Sequence, residues 1–390
     1  MKKTSALSMV LFMALLGFNV LFQPFAASIA LAAPKAATTE PGKAPASSSW
    51  KLEWDKAVEA AQKEGEVVIY STPSSDVIRD LANAFEKRYG IKVKWLNGRG
   101  EELAQRIQSE KTAGIRGVDV IMSGGTTTQT VMKPLGILGR LDTLLILPEV
   151  TDPNAWVTGQ LPFLDKDRTG MALLATFQRY VLRNTNLVQA NEITTYNDLL
   201  NPKWKGKITV NDPRVAGTAS AFFTMLALDL WGVEKMKEFM REFVKQEPAV
   251  TRDRRLQAEW VARGKYSLSV ATNLENAIEF INLGSPVAFC KVKEGGKVGP
   301  GAGGLAVPDR PAHPNASKVF INWLLSKEGQ AVFVKTYGSP GVRKDAPREG
   351  IPPQMYPDPD EKVILDNEDS ILFRHEITKI SKEIFAPLLK

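Results

Sequence analysis

Three short turns carry the residue types that hold anions. They are Ser71-Thr-Pro-Ser-Ser-Asp76, Ser123-Gly-Gly-Thr-Thr-Thr128 and Ala216-Gly-Thr-Ala-Ser220, and each stands just ahead of a segment with helical spacing. A helix start leaves backbone N–H groups without intrahelical acceptors and carries the positive end of the helix dipole. Small hydroxyl side chains and glycine let an oxyanion approach those donors. The candidate contacts are therefore Ser71, Thr72, Ser74, Ser123, Gly124, Gly125, Thr126, Gly217 and Thr218, with Asn273 at a fourth strand-to-helix turn. Taken singly, any of these Ser and Thr residues does no more than cap its helix. Guanidinium groups match carboxylate or phosphate with two parallel donors. Among Arg99, Arg179, Arg214 and Arg252, the two nearest these turns, Arg99 and Arg214, are taken as the charged contacts.

Other chemistries find no residues. Gly301-Ala-Gly-Gly304 lacks the Gly-Lys-Ser/Thr ending of a phosphate loop and the spacing of a dinucleotide fingerprint, so it reads as close backbone packing. No Gly-x-Ser-x-Gly turn is present. The chain has two histidines, His313 and His375, and one cysteine, Cys290, so no intramolecular disulfide can form. Cys290 lies in an apolar run and reads as a small core residue. No catalytic set, cofactor or metal site is expected. The net charge of +7 includes Lys2 and Lys3 at the start. This mild basicity favours an anionic ligand, and without basic blocks interleaved with aromatics it argues against nucleic acid.

The elements that place the turns follow from periodicity. Residues 66–70 form a short apolar strand; Val77, Leu81, Ala84 and Phe85 then recur at helical spacing until Gly90. Ile91, Val93 and Trp95 alternate as a strand, Leu103 and Ile107 mark a helix ended at Gly114, and 118–122 is a third strand. Strands alternating with helices predict a parallel sheet whose turns gather on one edge. A second unit runs through strands in 171–182 and 204–210, an apolar helix over 220–230, Arg- and Glu-rich helices over 233–265, and a strand at 268–271. Residues 287–310 return to extended, Gly-rich chain, and 316–325 is a helix with Val319, Phe320 and Trp323 buried.

The start reads as a secretion signal over residues 1–32: two lysines, an apolar run over 6–22, and Ala30-Leu31-Ala32 as a small-x-small cleavage site. A retained membrane anchor is the alternative, although the run is short for a span of about 20 residues. Residues 33–49, rich in Ala, Pro, Thr and Ser, are expected to be a disordered tether. The remaining length suits two lobes: 50–155 with 290–342, and 156–289. Residues 343–390 read as a Pro- and charge-rich tail, helical from about Ile371.

Three segments carry a resemblance. Pro202-Lys-Trp-Lys-Gly-Lys-Ile208 leads into Asp212-Pro-Arg-Val-Ala-Gly-Thr218; Ala312-His-Pro-Asn-Ala316 precedes Phe320-Ile-Asn-Trp-Leu-Leu-Ser-Lys-Glu-Gly-Gln330; and Phe85-Glu-Lys-Arg-Tyr-Gly-Ile-Lys-Val93 opens the set. In this order, over about 52–345, the chain resembles the bacterial extracellular solute-binding proteins grouped with ferric-iron and related ABC transporters. The resemblance implies an α/β, two-lobed, periplasmic-binding-protein type II fold. Each lobe would be a mostly parallel sheet flanked by helices, and crossing strands near 150–180 and 285–300 would join them as a hinge. It implies a periplasmic or extracytoplasmic location, an ABC permease and ATPase as partners, a monomer, and an anion held at Ala216-Gly217-Thr218. Where iron-binding members carry His, Glu and adjacent tyrosines, this chain has Ser74, Gly124 or Gly125, and Thr272-Asn273-Leu274-Glu275. Ferric ion needs anionic oxygen ligands, so a small organic or phosphate-bearing anion is the expected ligand. Ferric iron at an atypical site and input to a membrane sensor are the alternatives.

Overall fold

A computed structural model describes residues 47–301 and 303–389. The expected signal and most of the expected tether lie outside the described residues.

Helix α1 (Ser47–Glu64) begins inside the segment expected to be a tether. Ala57 and Ala61 are buried, with Trp50, Trp54 and Val58 packed beside them, so this one face already belongs to the core. Strand β1 (Glu66–Ser71), helix α2 (Ser75–Tyr89) and strand β2 (Lys92–Asn97) follow. In α2, Val77, Ile78, Leu81, Ala82 and Phe85 form the buried stripe. Gly90, at φ +72°, stops it by donating its N–H to the Glu86 carbonyl at 2.8 Å. Next come α3 (Gly100–Thr112), β3 (Val120–Ser123) and the single turn α4 (Gly125–Thr127), which continues as a π turn to Met132; α5 (Pro148–Thr151) and β4 (Gly170–Ala172) complete this region. Strand β5 (Thr176–Gln178) leaves it.

The second region has strands β6 (Val181–Asn184), β7 (Ile208–Asn211), β8 (Ala249–Thr251), β9 (Leu268–Val270) and β10 (Val287–Phe289). Its helices are α6 (Thr218–Met225), which runs on as a π turn to Leu230, α7 (Val233–Val244), α8 (Arg254–Ala262) and α9 (Leu274–Asn282). Where helices were expected throughout 233–265, β8 intervenes; its three half-buried residues are too few to show a period.

The chain then returns. β11 (Gly296–Gly299) pairs antiparallel with β5, and β12 (Gly304–Ala306) inserts between β3 and β4. Helices α10 (Pro314–Leu325) and α11 (Lys327–Tyr337) pack on the first region. Strand β13 (Val363–Leu365) joins β11 in parallel, and α12 (Glu368–Ile384) is the last long helix. The sheets are ordered β2-β1-β3-β12-β4, β10-β6-β9-β7-β8 and β13-β11-β5. The pairs β1–β2, β1–β3, β7–β8, β7–β9 and β11–β13 are parallel, whereas β12 runs antiparallel to β3 and β4, and β6 antiparallel to β9 and β10. These are mixed α/β sheets flanked by helices.

Two large apolar cores result, and they differ from the expected boundaries in two places. Trp156, Leu164 and Met171 to Ala175 belong to the first core, not to the second unit. Residues 343–390 are not a loose tail: Ile364, Ile377, Ile380 and Phe385 belong to the second core, together with Cys290. Arg179 anchors this segment. Its Nε donates to Glu361 at 2.8 Å, and its other nitrogens reach the carbonyls of Gln354 at 2.8 Å and Tyr356 at 3.2 Å. At Gly295, φ is +83° and a Cβ would lie 2.0 Å from the Lys362 carbonyl oxygen, so only glycine lets β13 cross there. Burial pushes the Cys290 thiol up to about 12, which leaves it unreactive at neutral pH.

Candidate functional site

A cavity of about 910 Å³ lies in front of the β13-β11-β5 sheet, lined by residues of both core regions. Side chains alternate across a strand. Thr176 and Gln178 of β5 and Lys297 and Gly299 of β11 therefore line it, while Phe177 and Val298 do not. The first region supplies Thr126, Thr130 and Leu174. The second supplies Arg214 to Thr218, Ala221, Arg254, Asn273 and Glu275. Helix α12 supplies Arg374, His375, Thr378 and Lys382, a polar stripe at helical spacing opposite its buried Ile377 and Ile380.

A charge chain runs along one wall. The Lys297 ammonium, 3% exposed, sits 3.3 Å from Asp229 Oδ2 and 3.2 Å from Asp366 Oδ1. Asp366 Oδ2 accepts from Arg374 Nη2 at 2.5 Å, and Arg374 Nη1 donates to Thr126 Oγ1 at 3.2 Å. The Nε of Arg374 is buried without a protein acceptor. Nearer α6, Arg214 holds Asp212 with two bonds of 2.7 and 2.9 Å, and Arg252 adds a third at 2.9 Å. Burial acts to raise the Asp212 pKa, but these guanidinium bonds hold it below the usual carboxylate range. Arg214 is thus held on a carboxylate that it shares with Arg252. Arg254 and Lys382, both exposed, have no carboxylate partner among the described residues.

Five of the sequence-derived contacts line this cavity: Thr126, Arg214, Gly217, Thr218 and Asn273. Asn273 also caps α9, its Oδ1 accepting from the Asn276 N–H at 3.1 Å. The other seven do not line it. Ser71 is buried and donates to the Pro73 carbonyl at 3.3 Å, and the Thr72 N–H is bound by Met122 at 2.9 Å. Ser74 is an exposed residue ahead of α2, and Arg99 is an exposed residue ahead of α3 whose backbone N–H goes to Glu102 at 3.4 Å. Ser123 is 1% exposed, and a Cβ on Gly304 would lie 2.4 Å from its carbonyl oxygen. Gly124 accepts from Thr128 at 3.0 Å, and Gly125 is buried against Pro300. Of the arginines outside that set, Arg179 and Arg252 serve the anchor and the Asp212 cluster. Lys297, Arg254 and the α12 stripe escaped the sequence reading.

Among the described residues, Asp165, Asp167 and Glu368 form a group of three acids close enough to share an ion. The Lys133 ammonium already sits among them, at 2.5 to 2.9 Å. In the cavity, burial raises the phenols of Tyr180 and Tyr337 above their ordinary values, which opposes phenolate ligation.

Two sheet-and-helix cores joined by short paired strands, with a polar cavity in front of the joining sheet, define a two-lobed binding protein. The model of the bacterial extracellular solute-binding protein family matches residues 80–360, and the chain belongs to that family. An uncharacterized protein of Haemophilus influenzae is 25% identical over 320 residues, which is 80% of this chain and 86% of that one. Among solved structures, the Trichodesmium protein IdiA (FutA) in complex with iron and citrate matches at 21% identity and a TM-score of 0.65, covering 82% of this chain and 99% of that one. AfuA of Actinobacillus pleuropneumoniae, a periplasmic binding protein with fructose-6-phosphate bound, matches at 22% and 0.53, covering 83% and 97%. The chain is a substrate-binding component of ABC import, which captures a small solute outside the cytoplasm and delivers it to a membrane permease. No described helix is long and apolar enough to cross a membrane.

Proposed function

We propose that the solute is a small anion, an organic acid or a phosphate-bearing molecule, held in the cavity between the two cores. One observation carries this reading. Gly217, just ahead of α6, lies beside a cation without a carboxylate partner: a Cβ on Gly217 would stand 3.7 Å from Arg254 Nη2. The first-turn N–H groups of Thr218, Ala219 and Ser220 have no intrahelical acceptor, and helix dipole and guanidinium act in the same direction there. The buried, unmatched Nε–H of Arg374 and the exposed Lys382 extend the cationic character along α12. The two similar structures hold citrate with iron, and fructose-6-phosphate, both anions.

A thermal-shift screen of sugar phosphates, phosphonates, di- and tricarboxylates and ferric salts tests the reading, because a ligand bound by the native state alone raises Tm. An anion should give the largest shift. Arg254→Gln should weaken it tenfold or more by calorimetry, about 1.4 kcal/mol. A shift with ferric salts and with no anion, or an anion bound equally well by Arg254→Gln, would replace this reading.

A further inference from the structure

The β13-β11-β5 sheet has a second cavity on its other face. Val298 lies between Lys297 and Gly299 on β11 and faces backward, as do Ala175 ahead of β5 and Val363 and Leu365 of β13; Asp366, one residue on, faces front. This back cavity measures about 530 Å³, within the range of small-molecule sites. Its walls are mostly apolar, closed by Val157, Pro340 and Tyr356. Val157 and Val363 are 44% and 41% exposed, so two large apolar side chains stand in water at one place.

The rim is cationic. Lys344 and Arg348 line the cavity, are exposed, and have no carboxylate partner among the described residues. The Arg348 guanidinium stacks on the Tyr356 ring at 4.5 Å, which leaves its N–H edges free to donate. Arg343, by contrast, is spent on Asp345 and on the carbonyls of Glu149 and Leu325.

We propose that the back cavity binds a small amphiphilic anion, its aliphatic or aromatic body against Val157, Val298, Val363 and Leu365 and its anionic head at Lys344 and Arg348. An apolar pocket with two unmatched cations at its mouth disfavours a cation and offers little to a sugar. The front cavity, crossed by Lys297, Asp366 and Arg374, has the opposite character. The site also touches the strands that join the two cores, so its occupant would lie directly behind the front ligand.

The probes are anilinonaphthalene sulfonate, decanoate and decanol. The purified protein should enhance the dye's fluorescence saturably, and decanoate should displace it at least tenfold more effectively than decanol. Val363→Asp, at an exposed position, should weaken the dye tenfold or more, and Val157→Asp should repeat the result should β13 fail to form. The double variant Lys344→Gln, Arg348→Gln should remove the preference for decanoate over decanol. Arg254→Gln, on the front face, should weaken the front-site anion as above yet leave dye binding and the preference for decanoate as in the parent. The proposal is overturned by the absence of saturable enhancement, by dye binding that survives both aspartate variants, by loss of binding in Arg254→Gln, or by decanol matching decanoate.

Discussion

Lys133 and Glu368, 235 residues apart, form an ion pair of 2.5 Å that ties the first core region to the start of α12. The same ammonium is 2.9 Å from Asp165 and 2.8 Å from Asp167. Desolvation acts to lower the Lys133 pKa, but the hydrogen bonds it donates to three carboxylates raise it well above the ordinary lysine value. A raised lysine pKa contributes stability that is fully present below the unfolded value of about 10.5 and is lost only as pH rises through the folded value, so neutral and acid conditions keep this contribution.

Removing the cation leaves three carboxylates facing one another. Lys133→Met should therefore cost about 3–5 kcal/mol, the range for breaking a largely buried pair. Urea unfolding at pH 7 measures it. The deficit should shrink as pH falls toward 4, because protonation relieves the repulsion that the variant creates. A deficit independent of pH would mean that lost packing, not charge, is the cause.

The last helix is held by Phe385, fully buried and set against Phe223 at 6.1 Å and Phe243 at 6.4 Å between ring centroids. Phe385→Ala should cost about 3–5 kcal/mol. α12 walls the front cavity with Arg374 and Lys382, so ligand affinity should fall with stability in this variant. Calorimetry beside urea unfolding shows both. A stable variant with unchanged affinity would mean that the C-terminal segment is dispensable.

Asp142 accepts from Arg140 Nε at 3.0 Å and from Arg168 Nη1 at 3.0 Å. The hydrogen bond from Arg140, with Arg168 adding to it, lowers its pKa from 3.8 to about 2 despite partial desolvation. A depressed carboxylate contributes stability that is present above its unfolded pKa and lost as pH falls through the folded one. The parent should therefore lose stability from this group between about pH 4 and pH 2. Asp142→Asn should be less stable at pH 7 and show a flatter acid limb in that window, read by thermal melts at half-unit steps.

What the sequence showed and concealed follows from the range of the interactions. The stripe Val77, Leu81 and Phe85 and the stop at Gly90 are local, and they appear in α2 as read. The Gly217-Thr218 turn and Asn273 are also local, and both reach the cavity. In α1 the spacing of Trp50, Trp54, Ala57 and Ala61 was a usable signal, masked by the Ser- and Pro-rich composition around it. Arg374, Thr378 and Lys382 look like a solvated helix face, and only the packing of Ile377 and Ile380 on the second core turns that face into a cavity wall. Lys297 is one lysine in a Gly-rich stretch; its partners Asp229 and Asp366 lie far away along the chain. Arg214 was legible as a cation near the turn, but its pairing with Asp212, two residues earlier, needed the side-chain geometry.

Thr218 separates stability from binding at the front site. It is the first residue of α6, half-buried, and lines the cavity beside Gly217 and Arg254. Thr218→Glu puts a carboxylate at a helix start, which should stabilise the fold by about 0.3–1 kcal/mol. The same carboxylate can reach the Arg254 guanidinium and the free N–H groups, and so competes with an anionic ligand. Affinity for the anion found in the screen should fall tenfold or more. Thr218→Ala removes at most one hydrogen bond, about 1 kcal/mol, and should weaken binding less than the glutamate does. Raised Tm together with lowered affinity in Thr218→Glu is the expected signature, read by melting curves and calorimetry on the two variants. If the glutamate variant binds the anion as well as the parent, the anion is not held at this helix start; if it gains affinity for a metal ion, the cavity is a cation site; either outcome overturns the reading.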